Sequence, residues 1–465
     1  METIKKVQQE YERLHFEKAL RLLEKEEPRT ENGVLWLIRI KRALYEFDHA
    51  YALSRTRDEP DFMLEQAKNL FASGKTKEAS SLLETMEPTI PVRLCYAGVL
   101  SETGKVGEAL SVLDAIDEDR LEGFQFMDLL LLKADLYSFQ EKTRDAFEYY
   151  EKALDHIDPC IPENWRSLRA MLIHHNMADT YEQLEQEDRA IELYETALGE
   201  MYEQKKTDDT ITDLASYEIE LLLSAANCYG NNEQFGQARR YLDQAKGQFD
   251  QLLPLSRPYF TARIHYISGL IDMNDGKDEE AAFHLRKAFD EQRRLVRKGR
   301  DKREHLARTA YYLGSLLGDE EKEEKLRLFE TACPLFEQVV EKEPSFYMAA
   351  LADMANEKGR LASSGQEALQ TYSEAMGWYE KILEMDPEDA LAYESRLVAR
   401  VNAMKYDPSA FEEKVKSQLE FLRHDKENVP FVYSICDALL AQDHSKNFFR
   451  WLRKYIDSLP AEFEA

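Results

Sequence analysis

The recurrence of small residues at a long, nearly regular interval is what most restricts this chain. Ala146, Ala190, Ala238 and Ala281 follow one another at spacings of 44, 48 and 43 residues. Residues 168–198, LRAMLIHHNMADTYEQLEQEDRAIELYETAL, show what lies inside one interval. The stretch reads as two amphipathic helices separated by the charged turn EQED. Ala178 and Tyr181 lie on the first, and Ala190, Tyr194 and Ala197 on the second. Small residues at 178 and 190 allow the helices to approach closely, and the tyrosines fill the space beside them. One such pair cannot bury its apolar faces alone, so the pattern requires stacking on further copies.

Copies of the pattern occupy most of the chain. Near the N-terminus, AKNLFASGKTKEASSLLETMEP and YAGVLSETGKVGEALSVLDAID align Gly74 with Gly104 and Ala79 with Ala109, a spacing of 30. Each glycine falls between two helices, where a positive φ is easiest. From about residue 121 the units lengthen, with Ala134, Ala178, Ala226 and Gly269 as the small residues of the first helices. The reading is an all-α chain in three stretches: short-period repeats over 1–120, long-helix repeats over 121–387, and C-terminal helices with a cap over 388–465. The last stretch predicts helices near 388–403, 408–423, 429–441 and 444–457. Longer loops are predicted near 203–211 and 361–366, and helix stops at Pro28, Pro88 and Pro387.

Composition narrows the function classes. Gly (18) and Pro (14) are scarce among 465 residues, and 43% are hydrophobic, which suits a helical chain with a continuous core. A formal net charge of −28 argues against general nucleic-acid or anionic-membrane binding. No apolar run approaches a membrane span and the N-terminus has no apolar signal region, so a cytoplasmic protein is expected. The five cysteines, Cys95, Cys160, Cys228, Cys333 and Cys436, are far apart and lack metal-ligand spacing, as expected of reduced thiols. His174 and His175 are adjacent, so a helix separates them by about 100° and they cannot share a metal as an i, i+4 pair would. No HExxH, P-loop, GxSxG or paired-cysteine motif occurs, so neither catalysis nor a cofactor is expected.

The units around Ala134, Ala178 and Ala226 resemble the tetratricopeptide repeat family. That family places a small residue and a tyrosine on its first helix, then Ala, an aromatic and Ala on its second, often with a closing proline. The resemblance implies a right-handed α-solenoid of stacked helix-turn-helix units. The period of 43–48 residues exceeds the family's usual 34 and is similar to that of bacterial peptide-pheromone receptors and kinesin light chains. It further implies a concave face lined by first helices, on which asparagines commonly hold the backbone of a ligand peptide.

Reading outward from each small residue, the candidates for that face begin with Asp128 and Asp135. His175, Asn176, Asp179 and Glu182 follow, then Asn227 and Asn231. Arg263, Tyr266 and Asn274 come next, and Arg308, Tyr311 and Tyr312 complete the face. Asparagine offers a donor and an acceptor, arginine a fork for a carboxylate, and tyrosine flat area with a polar tip. A second candidate is the basic run within 286–308, where Arg293, Arg294, Arg297, Lys298 and Arg300 form a possible docking patch. The same run also fits solvated cations near a helix C-terminus. The expected function is therefore a non-catalytic adaptor that binds a protein or peptide in the concave groove. Its rivals are a peptide-responsive bacterial regulator controlling a partner protein, and a nucleic-acid-associated factor acting through 286–308. Oligomeric state is left open by the sequence.

Overall fold

The computed structural model describes residues 2–25, 30–121, 123–157, 163–208, 211–212, 214–298, 303–422, 429–442 and 445–459. Pro28, Cys160 and Arg300 lie outside these residues. The described residues form 24 α-helices with short 3-10 turns and no strand, the all-helical repeat solenoid that the spacing predicts. They divide into two compact units. Unit 1 comprises Met1–Gly318 with Glu341–Glu343, and unit 2 comprises Asp319–Val340 with Pro344–Ala465.

Unit 1 is a series of helix pairs. The first four are α1 (Glu2–Glu12) with α2 (Phe16–Glu24), α3 (Glu31–Ala43) with α4 (Phe47–Ser54), α5 (Pro60–Ala72) with α6 (Thr76–Glu84), and α7 (Ile90–Glu102) with α8 (Val106–Asp114). Longer pairs follow: α9 (Phe124–Phe139) with α10 (Thr143–Asp155), and α11 (Glu163–Glu182) with α12 (Glu187–Thr207). Next come α13 (Leu214–Asn231) with α14 (Phe235–Gly247), and α15 (Arg257–Asn274) with α16 (Asp278–Arg297). A single helix, α17 (Arg303–Leu316), closes the series. Helix α12 runs five residues into the loop predicted near 203–211, because the turn EQKKT still presents Gln204 to the interior, 2% exposed.

One turn geometry joins the helices of every pair in unit 1. Leu14, Tyr45, Gly74, Gly104, Glu141, Glu185, Glu233 and Gly276 all adopt left-handed φ values between 55 and 80°. The residue after each donates its N–H to the carbonyl five positions back, as in Lys75 to Leu70 and Gln186 to Tyr181, both within 3.0 Å. This bond satisfies a carbonyl that the ending helix leaves unpaired and reverses the chain in two residues. Glycine takes the conformation freely, whereas the five other residues accept roughly 1 kcal/mol of steric cost.

The pairs close over the small residues. Ala178, Ala190, Tyr194 and Ala197 are fully buried, and Tyr181 packs on Phe147 with ring centroids 4.4 Å apart. At Gly269 a Cβ would lie 2.7 Å from Leu285 Cγ, so only glycine permits α15 and α16 to approach as they do.

Unit 2 contains α18 (Lys322–Val339), α19 (Pro344–Arg360), α20 (Gly365–Met385), α21 (Ala390–Met404), α22 (Pro408–Leu422), α23 (Val429–Leu440) and α24 (Lys446–Asp457). The last four start and end within two residues of the predicted bounds. Tyr372, Tyr379, Leu397, Val415, Leu419, Phe448 and Leu452 share one core, and Trp451 packs against it. Helix starts here carry side-chain caps: Ser364, Asp389 and Ser445 accept from Glu367, Ala392 and Phe448 backbone N–H groups at 3.2, 2.8 and 3.1 Å.

Candidate binding face of the first helices

The residues predicted for the concave face converge, but they bind one another. Asn176 donates its side-chain amide to Asp135 Oδ1 at 3.0 Å, and Tyr150 donates to the same oxygen at 2.7 Å. Asn227 and Asn231 both donate to Glu182 Oε1, at 2.5 and 2.9 Å. Asn274 donates to Asn231 Oδ1 at 3.0 Å. His175 Nε2 lies 3.0 Å from Ser224 Oγ and 3.6 Å from Asp179 Oδ1. Arg263 donates to Glu220 Oε1 at 2.7 Å. Apart from the bonds within a pair, these partners are 41 to 49 residues apart, one repeat, so each bond ties a first helix to its successor.

Burial sets the protonation of this row. Taken out of water, a carboxyl holds its proton longer. Burial pushes Asp135 up to about 6, against the opposing hydrogen bonds from Tyr150 and Asn176. Glu182 is pushed up to about 7 by burial and then by the neighbouring Asp179 charge. Tyr194 bridges the second pair, with its hydroxyl 2.5 Å from Asp179 and 2.9 Å from Glu182. A hydroxyl has one proton to donate, so two carboxylates cannot both accept from it. The arrangement is satisfied when Tyr194 donates to Asp179 and a protonated Glu182 donates to the Tyr194 oxygen. Glu220 shows the reverse balance: burial raises its pKa, but the Arg263 charge and hydrogen bond outweigh that and leave it lowered.

Further along, Arg308 pairs with Glu343, in the short segment that belongs to unit 1, and lies 3.7 Å from Glu304. Tyr266 is 8% exposed and lies 6.3 Å from Tyr312 between ring centroids; Tyr311 meets Tyr312 in a tilted contact at 5.2 Å. Asp128 is half exposed and 3.9 Å from Arg169. Arg169 was not singled out by sequence, nor were Ser224 and Glu220. Arg169 and Glu220 lie well away from the small residue of their repeats, Ser224 lies two residues before Ala226, and the available signal was that opposite charges at 220 and 263 sit one repeat apart.

The basic run is less concentrated than its composition suggests. Arg293 and Arg294, both exposed, face Asp290 and Glu291 one helical turn back at 3.6 and 2.7 Å. Arg297 and Lys298 are exposed at the C-terminus of α16. That is where the helix dipole favours cations. Elsewhere Cys95, Cys228, Cys333 and Cys436 are free, and burial raises the pKa of each, Cys95 and Cys333 to about 11. Their sulfurs are held as thiols. Among the described residues no helix is long and apolar enough to cross a membrane.

Comparison with curated proteins finds no match in sequence. Among solved structures, the chain is similar to a Rap protein complexed with Competence and Sporulation Factor, at 13% identity and a TM-score of 0.43, over 91% of this chain and 98% of that one. The apo form of RapI aligns at 14% identity and a TM-score of 0.39, over 70% and 98% of the two chains. BtubC (BKLC) from P. vanneervenii aligns at 16% identity and a TM-score of 0.34, over 56% and 92%. Models of the tetratricopeptide repeat match residues 128–155 and 173–208, the pairs α9–α10 and α11–α12. Those two pairs match the tetratricopeptide repeat, and the same pairing and the same turn recur through unit 1.

Proposed function

We propose that the protein is a non-catalytic, cytoplasmic adaptor that holds a peptide or protein segment along the first helices of its long repeats. The observation that carries this reading is the row of side chains from Asp135 to Asn274, fixed by bonds across successive repeats yet still partly open. Asp179 keeps half of its side-chain surface exposed, and Glu220 and His175 keep 29% and 16%. Asn227 Oδ1 and Glu220 Oε2 have no hydrogen-bond partner among the described residues, so a small side-chain shift would offer each to a peptide N–H. Groups already held in place lose little entropy when a ligand arrives, which favours binding. Asp179 is the half-exposed carboxyl of the row, so the segment that fits it places a basic side chain there.

The asparagines act here as spacers that set the row, and truncating them would disturb the repeat stack itself. Asp179→Asn is the cleaner probe, since it removes charge and keeps shape. An immobilised full-length protein is offered a combinatorial heptapeptide library, and recovered peptides are titrated calorimetrically against wild type and the variant. Recovered sequences rich in Lys or Arg, bound about tenfold more weakly by Asp179→Asn with an unchanged melting temperature, support the groove. Equal affinity for both proteins removes it.

A further inference from the structure

Helix α21 of unit 2 carries two arginines one turn apart, Arg396 and Arg400, in a chain whose formal charge is −28. Like charges at that spacing repel across a helix turn, so local helix stability does not account for the pair. Arg400 reaches a neighbour on each side. Its Nη1 donates to Gln418 Oε1 of α22 at 2.7 Å, and its Nη2 lies 3.6 Å from Glu380 Oε1 of α20. Gln418, 2% exposed, is itself fixed by donating to the Tyr393 carbonyl at 2.6 Å. A buried amide therefore aims the Arg400 guanidinium. Arg396 lies over the Tyr393 ring, 5.1 Å from its centroid, and Phe421 of α22 lies beside the same ring at 5.0 Å. Phe421 is 66% exposed.

The two cations are short of an anion. Nε of Arg396 and Nε of Arg400 have no hydrogen-bond partner among the described residues. Among those residues the one carboxylate paired with either arginine is Glu380, which keeps 54% of its side-chain surface exposed. At 3.6 Å that contact is a charge pair and not a hydrogen bond, so the Arg400 fork still has a donor to give. Burial and then the Arg396 charge lower the Arg400 pKa, against the opposing charges of Glu380 and Tyr393. The charges that act on the Tyr393 hydroxyl are those of the two arginines. Beside this electropositive spot stands an exposed aromatic ring.

We propose that Arg396, Arg400 and Phe421 form a docking site for an acidic protein segment in which Asp or Glu adjoins an aromatic residue. The carboxylate bridges the two guanidinium groups and moves Glu380 out into solvent, and the ring packs against Phe421 and Tyr393. An arginine fork takes a carboxylate through paired N–H groups, and ring contact adds area beside it. Two cations against Glu380 leave a surplus of one positive charge, which one carboxylate matches and a phosphate exceeds. The site lies within unit 2, does not depend on the first-helix row of unit 1, and takes a ligand of the opposite charge.

The test titrates the full-length chain with N-acetyl-glutamyl-phenylalanine amide, followed by saturation-transfer NMR of the peptide. Wild type should bind it with a Kd of about 1 mM or tighter, and the glutaminyl counterpart at least about fivefold more weakly. Arg396→Gln and Arg400→Gln should each weaken the glutamyl peptide by at least about fivefold. Glu380→Gln, which removes the competing carboxylate, should tighten it by about twofold or more. Phe421→Ala, at an exposed position, should weaken the phenylalanyl peptide but not the alanyl one, and with Arg396→Gln it serves if Arg400→Gln does not fold. No binding by wild type, equal binding of the glutaminyl peptide, or arginine variants that bind as wild type each overturns the site. So does Glu380→Gln without a gain. Tighter binding of the phosphoseryl counterpart overturns the assignment to a carboxylate.

Discussion

Unit 1 and unit 2 build helices of similar length and join them by different chemistry. In unit 1 all eight pairs pass through a left-handed residue, and none of the eight second helices has a side-chain cap. In unit 2 no left-handed residue occurs among the described residues, and three helices begin with Ser or Asp caps. The left-handed turn satisfies the ending helix from its own backbone, so the side chain there is free to vary among Leu, Tyr, Glu and Gly. A capped start depends on a specific hydroxyl or carboxylate. Unit 1 can thus repeat one shape without repeating one sequence, whereas each connection in unit 2 is written in its own residues.

The largest effect should be shared by both units and so isolates the turns as their difference. Gly269→Ala forces a Cβ into Leu285, and Gly359→Ala forces one to within 2.8 Å of the Tyr372 ring. Each should cost about 1–3 kcal/mol in denaturant titration, with exchange of amides assigning the loss to its own unit. A neutral outcome at either site would show that the pair in that unit is not held by close approach.

A somewhat smaller effect should appear in unit 1 alone. Glu182 has a folded-state pKa raised from 4.5 to about 7, so the folded state binds its proton more tightly than the unfolded chain. That contribution is fully present below pH 4.5 and is lost as pH rises towards 7. Stability should fall across this window in wild type. In Glu182→Gln, which keeps the acceptor for Asn227 and has no proton to lose, the decline should shrink by about 1–2 kcal/mol. Urea midpoints at pH 5 and pH 8 measure it; identical slopes would place the proton elsewhere.

The smallest effects bear directly on the turns. Ser364→Ala or Asp389→Ala in unit 2 should lose about 1 kcal/mol with its cap. Glu185→Gly in unit 1 should gain up to about 1 kcal/mol by relieving a left-handed non-glycine residue. A cap variant without cost together with a glycine variant that destabilises would invert the comparison between the units, and thermal unfolding of the three proteins decides it.

Periodic apolar residues and alanine spacing sufficed to place the helices, because a helix's buried face is set by neighbours three and four residues away in the same segment. Gly74 and Gly104 marked two of the turns. The other copies were hidden, since Leu14, Tyr45, Glu141, Glu185 and Glu233 carry no signal of a positive φ. For the candidate site, sequence placed His175, Asn176, Asp179, Asn227, Asn231 and Arg263 in one row but not what they hold. Asn176 takes Asp135, Asn227 takes Glu182 and Arg263 takes Glu220, each chosen by a helix one repeat away. Local periodicity therefore determined that this chain is a helical repeat protein. Only the stacked structure decided which polar groups are shared between repeats and where a proton is held, because those contacts join residues far apart in sequence whose separation in space is set by the sum of every pair between them.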